Sequence, residues 1–101
     1  MQIALVRRVK EEEKVAIEKW GNVDRTPEHL LAALTEEVGE VAHAINHEEG
    51  LDQVNQEIVE AIGILSRLYN MLNGLVTVLN YEGNVIRVRI TKIKPRQGEG
   101  K

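Results

Sequence analysis

The sequence predicts a mainly α fold: three helices followed by a C-terminal β-hairpin, forming a bundle unit that oligomerisation completes. Three observations predict it. Apolar residues recur at helical spacing through three segments bounded by threonine, proline or glycine. After Gly74 the period changes to two, with a turn cluster between β-branched runs. Helices of this size also leave apolar surface that one chain of 101 residues does not cover.

The first helix is expected over about Ile3 to Trp20, with Leu5, Val9, Ala16 and Trp20 on one stripe, ending near Gly21. The stretch GNVDRT (21–26) reads as a loop. Thr26 suits an N-cap and Pro27 the first helical position, so the second helix starts there and runs to about His47, with Gly50 as its stop signal. The third helix is expected over roughly Asp52 to Asn73, ended by Gly74. In LVTVLNYEGNVIRVRI (75–90), Ile86, Val88 and Ile90 alternate with Arg87 and Arg89. Two short strands, about 75–80 and 85–91, flank the turn NYEGN. Residues 1–93 then make a single domain, and 94–101 a disordered basic tail.

Composition narrows the function classes. Apolar residues make up 43% and charged residues 29%, ordinary for a soluble globular domain. With no cysteine, neither a disulfide framework nor a thiolate metal site is available. The N-terminal MQIALVRRVKEEEK turns acidic at once, which argues against a signal peptide or membrane span and for a cytoplasmic location. The net charge of −3 is uneven: residues 1–73 carry seven Lys/Arg against fourteen Asp/Glu, and residues 74–101 carry six against two. An acidic body, with one Trp, two Tyr and no Phe, offers neither a general nucleic-acid footprint nor a stacking platform for single strands.

The sharper signal is LTEEVGEVAHAIN (34–46), a helical stretch with glutamates at 36, 37 and 40. On a helical wheel Leu30, Leu34, Val38, Val41, Ala44 and Ile45 form an apolar arc. Glu37 falls inside that arc, Glu40 at its edge beside Ala33, and Glu36 further out, on the side of His29, His43 and His47. The third helix repeats the idea. Ile58, Ala61, Ile62, Leu65, Leu68 and Leu72 form its arc, with Glu57 inside and Glu60 at the edge. One such pair reads as partly solvated glutamates. Two matched pairs, packed face to face, bring four carboxylates into a poorly hydrated groove, where they must be protonated or neutralised. A divalent cation neutralises them, and all-oxygen ligation suits Mg²⁺, or Mn²⁺ as a substitute, rather than zinc. A di-iron bundle would want Glu-x-x-His, and here the third residue on is Glu40 or Glu60. The three histidines read as exposed surface.

These residues resemble a known family. EEVGE (36–40), followed after sixteen residues by EIVE (57–60), is similar to the E-E-x-x-E…E-x-x-D signature of the MazG-like all-α nucleotide pyrophosphohydrolases. KWG (19–21) and TPEHLLAALTEEVGEVAHAI (26–45) also look like that family, so the likeness spans roughly residues 14–72. The resemblance implies Mg²⁺-dependent hydrolysis of a nucleoside or deoxynucleoside triphosphate to a monophosphate and pyrophosphate, by a homodimer or homotetramer. It implies Glu37, Glu40, Glu57 and Glu60 as metal ligands. It implies Glu36 either as a group that supports those ligands or as the base that orients the attacking water. Trp20 is a candidate for stacking on the base, and Lys19 and Arg67 for binding phosphate. Two departures stand out: Glu60 occupies a position where the family usually has Asp, and the hairpin stands where many members place a helix. The competing expectation is a non-catalytic helical oligomerisation or interaction module that retains a metal or nucleotide site.

Overall fold

The computed structural model describes residues 1–20 and 26–89, apart from the Trp20 side chain. It contains α1 (Ile3–Trp20), α2 (Pro27–Asn46), α3 (Leu51–Leu72), β1 (Leu75–Leu79) and β2 (Val85–Arg89). The fold is mainly helical with a C-terminal antiparallel hairpin, as the sequence predicts. The expected loop at 21–25, the end of the second strand at 90–91, the tail at 94–101 and the role of Trp20 lie outside the described residues. Among the described residues no helix is long and apolar enough to cross a membrane.

The start of α2 follows from its first residues. Thr26 has an extended backbone (ψ 156°), and its hydroxyl accepts a hydrogen bond from the His29 amide at 3.2 Å. Pro27 occupies the first turn, where its missing N–H costs nothing. The turn into α3 differs from the expected glycine stop. Glu48 takes the left-handed conformation that ends α2 (φ 52°), and the Glu49 amide closes on the Ala44 carbonyl at 3.0 Å. Gly50 instead caps the start of α3, at φ 100°. That turn is short, so α2 and α3 lie antiparallel and pack along most of their length.

α1 packs on α3, and the hairpin packs on α3 and on α1. The core between these elements is small: Val9, Ile17, Leu30, Ala44 and Val59 are buried, together with Glu13 and Thr77. The hairpin register pairs Val76 with Val88, Thr77 with Arg87 and Val78 with Ile86. Asn80 shapes the connection, its Oδ1 accepting from the amides of Glu82 and Asn84, both at 2.9 Å, while Gly83 supplies φ 79°. The pleat sends Thr77 and Arg87 inward and leaves Ile86 and Val88 on the outer face, exposed. Arg87 Nη2 reaches α1 and donates to both carboxylate oxygens of Glu13, at 2.9 and 3.2 Å.

The apolar arcs read from the sequence are only half covered. On α2, Val38 and Ile45 of the arc are more than half exposed, as is Leu31 outside it, and the three are spaced seven residues apart. On α3, Leu65 and Leu72 of the arc, and Leu51 outside it, are similarly exposed at multiples of the same spacing.

Candidate metal centre

Glu37 and Glu40 lie one helical turn apart on α2, and Glu57 and Glu60 one turn apart on α3. The antiparallel pairing of the helices sets the two pairs opposite each other. One oxygen from each of the four side chains lies within 4.8 Å of the others. Opposite oxygens around Mg²⁺ at about 2.1 Å are about 4 Å apart, so small rotamer adjustments span the difference. Glu37, Glu57 and Glu60 are half-buried, and Glu40 sits at the exposed rim.

The electrostatics show what this proximity costs. Burial pushes the Glu37 carboxyl up to about 8, helped by its contact with Glu57 and by the charges of Glu60 and Glu40. Glu40 is raised by its contact with Glu57 and by the charge there. Glu60 is raised chiefly by burial. At Glu57 burial also pushes upward, but the hydrogen bonds it accepts from Glu40, Glu37, Glu60 and Gln53 outweigh it and hold that carboxyl low. Without a cation the cluster therefore keeps protons and concentrates its negative charge on Glu57. Two carboxylates can hydrogen-bond only while one of them carries a proton. Once all four are ionised, Glu37 Oε2 and Glu57 Oε2 are buried acceptors with no donor. Two buried, unpartnered carboxylate oxygens inside an all-oxygen set fit a hard divalent ion.

Beside the carboxylates, a cleft of about 720 Å³ opens between α1, α2 and α3. Glu36, Glu37 and Glu60 stand at one end. Lys19, His29 and Arg67 stand toward the other, and Val15, Ala16, Leu30, Ala33, Gly63 and Ile64 supply apolar and small walls between. Arg67 lies seven residues beyond Glu60, about 10 Å along the helix. The structure thus brings together the four expected ligands and places Glu36, Lys19 and Arg67 on the adjoining cleft. His29 is exposed as the sequence suggested, yet it lines this cleft as well. His43 and His47 lie elsewhere: their rings stack at 3.9 Å, and His43 pairs with Glu49.

Sequence reasoning missed three cleft residues. Glu12 and Glu13 come from α1, and Gln56 from α3. Gln56 Nε2 donates to Glu12 Oε2 at 3.1 Å and to Glu60 Oε1 at 3.3 Å, and its Oε1 accepts from Arg8 at 3.3 Å. A signal for Glu13 existed: it lies four residues after Val9 and four before Ile17, on the buried stripe of α1.

No curated protein and no solved structure matches the chain in comparison. A family model does, and it covers both carboxylate pairs: residues 25–67 match the MazG nucleotide pyrophosphohydrolase domain.

Proposed function

We propose that the protein is a Mg²⁺-dependent nucleoside triphosphate pyrophosphohydrolase that releases a nucleoside monophosphate and pyrophosphate. The observation that carries this is the convergence of Glu37, Glu40, Glu57 and Glu60 around two buried carboxylate oxygens that lack donors. The family match over 25–67 supports this reaction class.

In this reading the four glutamates hold the ion, three from partly buried positions and Glu40 from the rim. Held by these residues, Mg²⁺ would supply polarisation of the α–β phosphoanhydride and would offset charge on the departing pyrophosphate. Glu36, exposed beside Glu37 on the cleft wall, takes a proton from the water that attacks phosphorus. Lys19, Arg67 and His29 stand where the remaining phosphate charge would otherwise go uncompensated. The small and apolar walls exclude bulk water and strengthen each of these interactions. A cytoplasmic setting, where nucleotides and Mg²⁺ are abundant, suits the reaction.

The test is to incubate the protein with each NTP and dNTP and Mg²⁺ and to assay pyrophosphate, with a chelator as control. Chelator-sensitive release with at least one nucleotide is expected. No release with any nucleotide, alongside clean Mg²⁺ binding, would replace the enzyme with a non-catalytic helical module, the reading that Glu60 in place of Asp favours.

We further propose a homodimer or homotetramer. Exposed apolar side chains at seven-residue spacing on both α2 and α3 make a seam of the coiled-coil kind, and the outward Ile86 and Val88 add a second patch. Light scattering should give at least twice the 11.4 kDa chain mass. Val38→Glu should lower it to one chain, because the new charge would be buried without a partner. A monomeric mass for the parent at micromolar concentration would overturn this part.

A further inference from the structure

The two α3 carboxylates share a feature that the α2 pair lacks. Gln53 Nε2 donates to Glu57 Oε1 at 2.6 Å, and Gln56 Nε2 donates to Glu60 Oε1 at 3.3 Å. Each α3 glutamate therefore has a glutamine one turn before it that holds one named oxygen. For Glu57 the consequence is clear: Oε1 is occupied by the amide, and Oε2 is the buried oxygen left without a donor. Among the described residues neither Glu37 nor Glu40 is held by a glutamine in this way. Gln56 is itself fixed from α1, by Arg8 and Glu12.

We infer that Gln53 and Gln56 are positioning residues that preset which oxygen of Glu57 and of Glu60 faces the cation, so that α3 is the fixed half of the site and α2 the half that adjusts. The inference rests on the metal reading above. A carboxylate free to spin about its terminal torsion offers an ion either oxygen, or both, and a bidentate grip favours a large ion. An amide on one oxygen withdraws it and leaves a single oxygen at a set angle. That arrangement favours Mg²⁺, which demands near-octahedral geometry, over Ca²⁺, which accepts bidentate and irregular shells. The Gln56 link also ties the aim of Glu60 to the seating of α1.

The test replaces each glutamine by an isosteric side chain without the amide, Gln53→Met and Gln56→Met. Mn²⁺ affinity would be read from the free-ion electron paramagnetic resonance signal, and Mg²⁺ and Ca²⁺ affinities by calorimetry. Supporting groups around metal ligands typically contribute 10–100-fold to affinity. We expect Mn²⁺ and Mg²⁺ binding to weaken by about tenfold or more and Ca²⁺ binding to weaken less, so that the Mg²⁺ to Ca²⁺ preference falls. The metal-free melting temperature should move by no more than about 4 °C, as an ordinary helical pair of this spacing contributes little. Parent-like affinities in both variants would overturn the inference. So would equal losses for Mg²⁺ and Ca²⁺ with a large drop in metal-free melting, which would make the glutamines structural. A parent that binds no Mn²⁺ at all would instead sink the metal reading, and this inference with it.

Discussion

Glu13 and Glu37 are both carboxylates withdrawn from water, and the molecule treats them in opposite ways. Glu13, 2% exposed between α1 and the hairpin, accepts a hydrogen bond from Arg87 on each of its oxygens. Glu37, half-buried between α2 and α3, faces three more carboxylates, and its Oε2 has no donor. A buried charge supplied with its counter-charge by the chain is a structural joint. One left among like charges is stable only with protons or with an ion from solution. The difference separates a buried charge that the chain itself offsets from a cluster that the proposed ion would complete.

The largest effect should come from breaking the completed pair. Arg87→Met removes the arginine's two hydrogen bonds and its charge from a carboxylate that is 2% exposed, which costs about 3 kcal/mol, the lower end for such pairs because the Arg87 side chain is 30% exposed. For a domain of this size that lowers the melting temperature by more than about 10 °C. Adding Glu13→Gln to the same protein should recover much of the loss, because the buried charge is gone. A melting curve for Arg87→Met that overlays the parent's would mean that groups other than Arg87 offset the Glu13 charge.

Next in size is the response of the uncompensated cluster to its ion. On the proposed reading Mg²⁺ would bind only where the four carboxylates are assembled, so it should stabilise the fold by about 2.7 kcal/mol at a hundred times its dissociation constant. The Glu57→Gln variant should lose most of that gain. It should also lose more than about a hundredfold in pyrophosphate release, since even groups that merely support a ligand are worth 10–100-fold. Thermal melting with and without Mg²⁺ checks the first statement, and steady-state kinetics the second. The Glu13–Arg87 joint should be indifferent to Mg²⁺ throughout.

The same contrast explains what was legible in the sequence. Glu37 and Glu57 stand out because each interrupts an otherwise apolar arc at helical spacing, and the spacing itself places Glu40 and Glu60 beside them. The start of α2 was readable from Thr26 and Pro27, because capping is a local matter between neighbours. Glu13 was not read because it sits in KEEEK (10–14), where a charge run looks like a solvated face. Its partner is 74 residues away, and only the packed hairpin reveals it. The alternation of Ile86 and Val88 with Arg87 and Arg89 defines two faces but not which one turns inward. Here Arg87, against the usual expectation, is the side chain that reaches inward, to Glu13, while Ile86 and Val88 stay exposed. Gln53 and Gln56 gave no signal of their own, since a glutamine one turn before a glutamate is common on any helix.

The smallest expected effect discriminates most finely. Glu37→Gln removes one charge from the cluster at nearly constant shape, and the new amide can donate to Glu57 as the protonated acid does. The Glu37 carboxyl titrates near 4.5 in the unfolded chain and near 8 in the metal-free fold. The folded state therefore holds a proton that the unfolded state has released, and stability falls as pH rises. The favourable contribution is complete below about pH 4.5 and gone above about pH 8. Glutamine has no proton to lose. Parent and variant should thus melt alike near pH 4.5, and the variant should lead by about 1 kcal/mol, or several degrees, above pH 8, a figure discounted for the part of the cluster that water reaches. Saturating Mg²⁺ should reverse the order at high pH, because the parent then gains a ligand for which the variant has lost an oxygen. If Glu37 were an ordinary helix glutamate, the two proteins would differ by a few tenths of a kcal/mol at every pH, with or without the ion.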